Sequence, residues 1–110
     1  MVGIDSLRRG EIWLYQFAAP DKRRPVVILS RTRALPLLRT AVVAQITSTI
    51  RGIPSEVVVG PDEGLKTPSA INLDHVQTVE KRNLRNYVGT LSDEKMQQVC
   101  RALAIATGCV

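Results

Sequence analysis

The chain has 110 residues, 45% of them hydrophobic and 23% charged, which suits one cored domain, is too short for two, and excludes a disordered chain. There is no apolar run long enough to span a bilayer and no apolar signal core in residues 1–10, so the expected location is the cytoplasm, without membrane contact. The net charge of +5 is unevenly placed: residues 1–55 carry nine Lys or Arg against three Asp or Glu, and residues 56–110 carry six against seven. Such an excess favours an acidic partner for the first half, and a solvated basic face would give the same count.

The first strand is expected over residues 11–17, where Trp13, Tyr15 and Phe17 suit a pleated, half-buried surface. Pro20 and Asp21 end it. Residues 26–29 read as a strand covered on both faces, with Pro25 at its first position, where a missing ladder donor does no harm. Residues 31–39 form a connection with one helical turn around 34–38. Strands follow at 41–48 and 56–59, and Gly60, Pro61 and Gly64 mark a loop. Residues 69–73 and 77–79 read as two short strands separated by a turn at Asp74 and His75. A helical turn at 81–84 and a strand at 87–91 come next.

The spacing predicts one helix, over 93–107. Ser92 is a good N-cap, and Asp93 with Glu94 place negative charge where the macrodipole favours it. Met96, Val99, Cys100 and Leu103 form a single apolar stripe, and Gly108 stops the helix. Cys100 is therefore expected in the core, and both it and Cys109 are expected to be reduced thiols. No His or further Cys stands at ligand spacing, so no metal site is expected. Many short strands closed by one helix predict a mainly β fold with a C-terminal helix, one small barrel domain over residues 1–110.

Few residues carry obvious chemistry. Arg24 beside Pro25, with hydroxyls at Thr47, Ser48 and Thr49, offers a guanidinium fork and adjacent donors of the kind that hold a phosphate. An Arg at a strand start also simply keeps its head in water, and Thr is a good strand former. Asp74 and His75 fall where a turn is the default, and the lone histidine reads as a surface or satisfied residue. There is no nucleophile elbow, glycine-rich phosphate loop or set of recognition-sheet aromatics.

Several blocks together resemble one family. Arg9-Gly10-Glu11-Ile12-Trp13, Arg24-Pro25-Val26-Val27-Ile28-Leu29-Ser30, Gln45-Ile46-Thr47-Ser48 and Asn72-Leu73-Asp74-His75-Val76-Gln77-Thr78-Val79 are similar, in order and spacing, to those of the MazF/PemK/Kid toxin endoribonucleases. The resemblance runs from about residue 8 to 108 and implies an SH3-like small barrel of the CcdB/MazF type that forms a homodimer. It implies a toxin of a type II toxin–antitoxin system that cuts single-stranded RNA selectively, without metal or cofactor. The ribose 2′-OH would attack the adjacent phosphate and leave a 2′,3′-cyclic phosphate. Carried over by motif, Arg24 and Thr47 would be catalytic and Asp74 a general base. Lys22, Arg23, Ser48, Arg51 and Asn72 would contact RNA.

The implied partners are the RNA substrate and a cognate, MazE-like antitoxin laying an acidic segment in the RNA groove, with DNA reached only through that antitoxin. Two departures stand out. Asn72 occupies a position where some relatives have an Arg, and the connection at 18–23 is short and basic, which implies a more open site. The alternatives are a CcdB-like gyrase poison that hydrolyses nothing, which keeping Arg24-Pro25 and Thr47-Ser48 argues against, and an inactive RNA-binding barrel, which Asn72 favours.

Overall fold

The computed structural model describes residues 6–18 and 22–110. The break expected at Pro20 and Asp21 and the first five residues lie outside these, as does the middle of the short basic connection. Six strands, β1 (Glu11–Gln16), β2 (Arg23–Ile28), β3 (Thr40–Thr47), β4 (Glu56–Val59), β5 (Ser69–Glu80) and β6 (Leu84–Thr90), precede one helix, α1 (Asp93–Thr107). They form one antiparallel sheet in the order β4-β5-β3-β2-β1-β6. The mainly β half-barrel with a closing helix is the architecture the sequence predicted.

Alternation along the strands fills two cores, one on each face of the sheet. Val27 and Leu29 join Ile12, Ala44, Ile46, Val57, Val59, Ile71 and Leu73 beneath α1, while Val26 and Ile28 join Trp13, Tyr15, Leu35, Val43 and Val79 on the other face. Residues 26–29 are thus buried on both faces, as their unbroken apolar run implied. The buried Glu11 carboxylate is not left bare: its Oε1 accepts from the Arg8 backbone N–H at 3.0 Å and from Trp13 Nε1 at 3.1 Å. The expected helical turns at 34–38 and 81–84 are single 3₁₀ turns, Leu35–Leu37 and Lys81–Asn83.

Three expectations need correction. Pro25 is the third residue of β2 rather than its first; β2 pairs with β3 only from Val26 onward, so the proline lies where β2 has no partner on that side. The two short strands at 69–73 and 77–79 are one continuous β5, with no turn at Asp74 and His75. Gln45 pairs with Asn72 whereas Ala44 pairs with Val76, so Leu73, Asp74 and His75 are extra residues that bulge out of the ladder. Leu73 and Val79 consequently enter opposite cores although both are odd-numbered positions of one strand, which regular alternation would hold on one face. Cys100, finally, is exposed, because α1 turns Val99 and Ala102 into the core and leaves position 100 at the margin, where its Sγ accepts from Arg9. Both cysteines are free.

The helix ends are as the sequence predicted: Ser92 Oγ accepts from the Lys95 N–H at 3.1 Å, and Gly108 closes α1 in the left-handed conformation. Lys95 also ties α1 to β4 through the Val58 carbonyl, 2.6 Å from its Nζ.

The loop after β4 lies against β6 so closely that a Cβ at Gly89 would overlap the Glu63 carbonyl. Gly89→Ala should therefore destabilise the protein by roughly 1–3 kcal/mol, the cost of forced overpacking. Urea unfolding followed by tryptophan fluorescence will measure this, and an unchanged midpoint would refute it.

Candidate active site

A cavity of about 630 Å³ opens where β2 and β3 part. The ladder between them ends at Val26 and Gln45. Continued by two residues, the same register would set Arg24 opposite Thr47. Pro25 has no N–H to extend the ladder, so the strands diverge there and these two side chains line the gap. Gln45, Ile46, Ser48 and Arg51 line it from β3 and the loop after it, Lys66 and Thr67 from the approach to β5, and Ser69, Asn72 and His75 from β5 itself.

The electrostatics are one-sided. Arg24, Arg51 and Lys66 supply three cations, and no Asp or Glu lines the cavity among the described residues. The Arg24 guanidinium is exposed and makes no ion pair among the described residues, which leaves its fork open to an anion. Thr47 Oγ1 accepts from the Thr49 N–H at 3.1 Å, which orients the hydroxyl and leaves its proton to be donated elsewhere. Arg51 is set by the buried end of Glu56, whose Oε1 accepts the backbone N–H groups of Arg51 at 3.0 Å and Gly52 at 3.1 Å. Oε2 of the same carboxylate is buried without a hydrogen-bond partner.

The bulge in β5 supplies the far wall. Leu73 donates its N–H to the Ser55 carbonyl at 3.0 Å, Asn72 Oδ1 accepts from the Asp74 N–H at 2.9 Å, and Ser55 Oγ donates to the Asp74 carboxylate. Asn72 is thus a buried brace as well as a lining residue. Asp74 is held by Ser55 and lies outside the lining, whereas its neighbour His75 lies within it.

The sequence-derived residues divide accordingly. Arg24, Thr47, Ser48, Arg51 and Asn72 come together around the cavity; Lys22, Arg23 and Asp74 do not line it. Lys22 is exposed, and Arg23 is engaged along the sheet with Gln16 Oε1 at 3.1 Å and Asn86 Oδ1 at 2.7 Å. Gln45, Lys66, Thr67, Ser69 and His75 were not foreseen. The basic and hydroxyl pair Lys66-Thr67 after Gly64 was the one local signal available for the first group. For His75 there was none, because the bulge is invisible in the residue pattern. Among the described residues, no three His, Cys, Asp or Glu side chains cluster as a metal ion would need, and no helix is long and apolar enough to cross a membrane.

Similarity to known proteins extends over this whole framework. Residues 8–107 match the family model described as PemK-like, MazF-like toxin of type II toxin–antitoxin system. A Mycobacterium tuberculosis protein named probable endoribonuclease MazF5 is 47% identical over 102 residues, covering 92% of this chain and 93% of its own. The structure of the Mycobacterium tuberculosis toxin MazF-mt6 superposes with a TM-score of 0.83 at 35% identity, covering 89% of this chain and 96% of that one. An endoribonuclease in complex with its cognate antitoxin, from a mycobacterial species, gives 0.84 at 27% identity, with 94% and 97% covered. With the match spanning both cores, the split between β2 and β3 and the closing helix, this chain belongs to the PemK-like, MazF-like toxin family of type II toxin–antitoxin systems.

Proposed function

We propose that the cavity between β2 and β3 is the active site of an endoribonuclease toxin that cleaves single-stranded RNA at selected sequences. The observation that carries this reading is the placement of Arg24 and Thr47 on the two sides of one gap, in a cavity to which the described residues bring only positive charge. A scissile phosphate fits between them. The Arg24 fork stabilises the charge that builds on the phosphorane oxygens, and the Thr47 hydroxyl donates to a phosphate oxygen or holds the attacking 2′-OH. Among the described residues no activated nucleophile is paired with a base, so the attacking group is the substrate's own 2′-OH and the product a 2′,3′-cyclic phosphate, without metal. Lys66, Arg51, Ser48 and Asn72 bind the flanking nucleotides, and Lys22 and Arg23 extend the basic surface beyond the cavity.

The same positive lining suits an acidic antitoxin segment, which would neutralise the toxin by occupying the RNA site. A homodimer fits a second feature. A shallow cavity of about 370 Å³ includes Leu38, Val42 and Val76 in its lining, and all three are exposed apolar side chains on one face. Leu38→Glu should shift the protein to monomer in sedimentation equilibrium; an unchanged dimer would place the interface elsewhere.

A variant series tests the site. Arg24→Ala should lower cleavage by about 10²–10³-fold, the usual cost of one transition-state donor, with the thermal midpoint unchanged because the side chain is exposed. Arg24→Lys should rescue poorly, since an ammonium lacks the planar fork. Thr47→Ala should lose more activity than Asp74→Asn, because Asp74 is tied to Ser55 outside the lining. Near-normal cleavage by folded Arg24→Ala protein would remove Arg24 from the site.

The chemistry has its own test. Cleavage should persist in excess EDTA, and an oligoribonucleotide with one 2′-deoxyribose just 5′ of the cut should bind, with salt-sensitive affinity, yet resist cutting. Cutting of that substrate, or dependence on added Mg²⁺, would overturn the mechanism.

A further inference from the structure

The ribonuclease reading leaves the proton of the attacking 2′-OH without a destination. Within the cavity the choices are few. Arg24 cannot give up its proton under any ordinary condition, and Arg51 and Lys66 are cations with no acceptor to offer. Thr47, Ser48, Thr67 and Ser69 carry hydroxyls, and Gln45 and Asn72 carry amides, none of which takes a proton readily in neutral water. Among the described residues the lining contains no carboxylate, no thiol and no phenol. Among these described residues one side chain carries a ring nitrogen whose lone pair can accept a proton, and it is the chain's sole histidine.

We propose that His75 is the proton acceptor of the cleavage reaction, delivered to the phosphate site by the bulge in β5. This assignment rests on the ribonuclease reading above. The bulge sets it apart from Asp74, the residue the family pattern nominates. Asn72 and Ser55 hold the backbone of 72–74, Ser55 Oγ takes the Asp74 carboxylate, and the following residue, His75, is presented to the cavity. In the reaction the neutral imidazole takes the proton from O2′ as the O2′–P bond forms and the P–O5′ bond breaks. The departing 5′-oxygen takes a proton from water entering the open cavity, and the imidazolium returns its own proton to solvent. The charged groups that share the cavity with His75 are Arg24 from β2, Arg51 from the loop after β3 and Lys66 from the loop before β5; Asp74 adjoins it along the chain.

The test uses the full-length protein and a short oligoribonucleotide spanning a cut site first mapped with the unaltered protein on single-stranded phage RNA. In single-turnover assays His75→Ala and His75→Gln should both lose about 10²–10⁴-fold in rate, the usual worth of a positioned base. Binding of the 2′-deoxy version of the same oligonucleotide should stay within about threefold, since the loss lies in chemistry rather than in binding. The rate of the unaltered protein should rise from acid to neutral pH with the slope of one proton, and that slope should vanish in His75→Gln. Free imidazole should restore part of the activity of His75→Ala. Cleavage by His75→Gln within about threefold of normal, with the slope intact, would overturn the assignment and leave the ribonuclease reading standing. A loss seen only as weaker binding would also overturn it, by making His75 an RNA contact. Failure of the unaltered protein to cut any RNA would instead remove the reading on which the assignment rests.

Discussion

The site depends on how one strand is bent. β5 is 12 residues long and crosses from one core of the protein to the other, feeding Ile71 and Leu73 beneath the helix and Val79 into the opposite cluster. A regular strand cannot do this with residues of the same parity, because alternation would hold them on one face. The three-residue bulge makes the crossing possible, and its exposed backbone groups must be bonded for it to persist. Leu73 finds the Ser55 carbonyl, Asp74 finds the Asn72 side chain, and the Asp74 carboxylate closes the set on Ser55. Loss of this small network would misplace the last strand turn of one core and the wall of the cavity together.

The second determinant is where the sheet stops being a sheet. Between β2 and β3 the ladder ends at Val26, just short of Pro25, and the space released is the cavity. The residues flanking that gap are long or polar for a simple reason: they face solvent rather than either core, so Arg24 and Thr47 are tolerated one strand apart without burial of charge. Every described residue that converges there is positive or neutral. Such a lining attracts anions, phosphate and carboxylate alike, in keeping with the overall basic charge of the chain.

The anchoring of Arg51 shows the same economy. Two backbone N–H groups of an otherwise irregular loop converge on Glu56, a residue whose position in β4 is fixed by pairing with Asn72 of β5. The loop that carries a cation to the cavity is thereby braced by the very strand that carries the bulge. Side chains remote from the gap, such as Glu56 and Ser55, take part in the site by holding others rather than by facing it.

The sequence by itself determined the helix and every strand except β5, which it divided in two, because those features are local. Residues 26–29 had to be buried on both faces since every side chain is apolar, and Ser92, Asp93 and Gly108 set the bounds of α1 through caps that need no tertiary partner. The order of the family blocks also located Arg24 and Thr47. Only the tertiary structure decided which neighbours join them. Asp74 and His75 look equivalent as a polar pair between apolar runs, and their fates diverge because a bulge is defined by its partner strand, here the step from Gln45 to Ala44, rather than by its own residues. Cys100 was placed in the core by periodicity and lies outside it, since the rotation of α1 is set by the packing of Val99 and Ala102 on the sheet and not by the width of its apolar stripe. Arg23, one position from Arg24, was drawn away by Gln16 and Asn86, which are adjacent to it only once β1, β2 and β6 have been assembled.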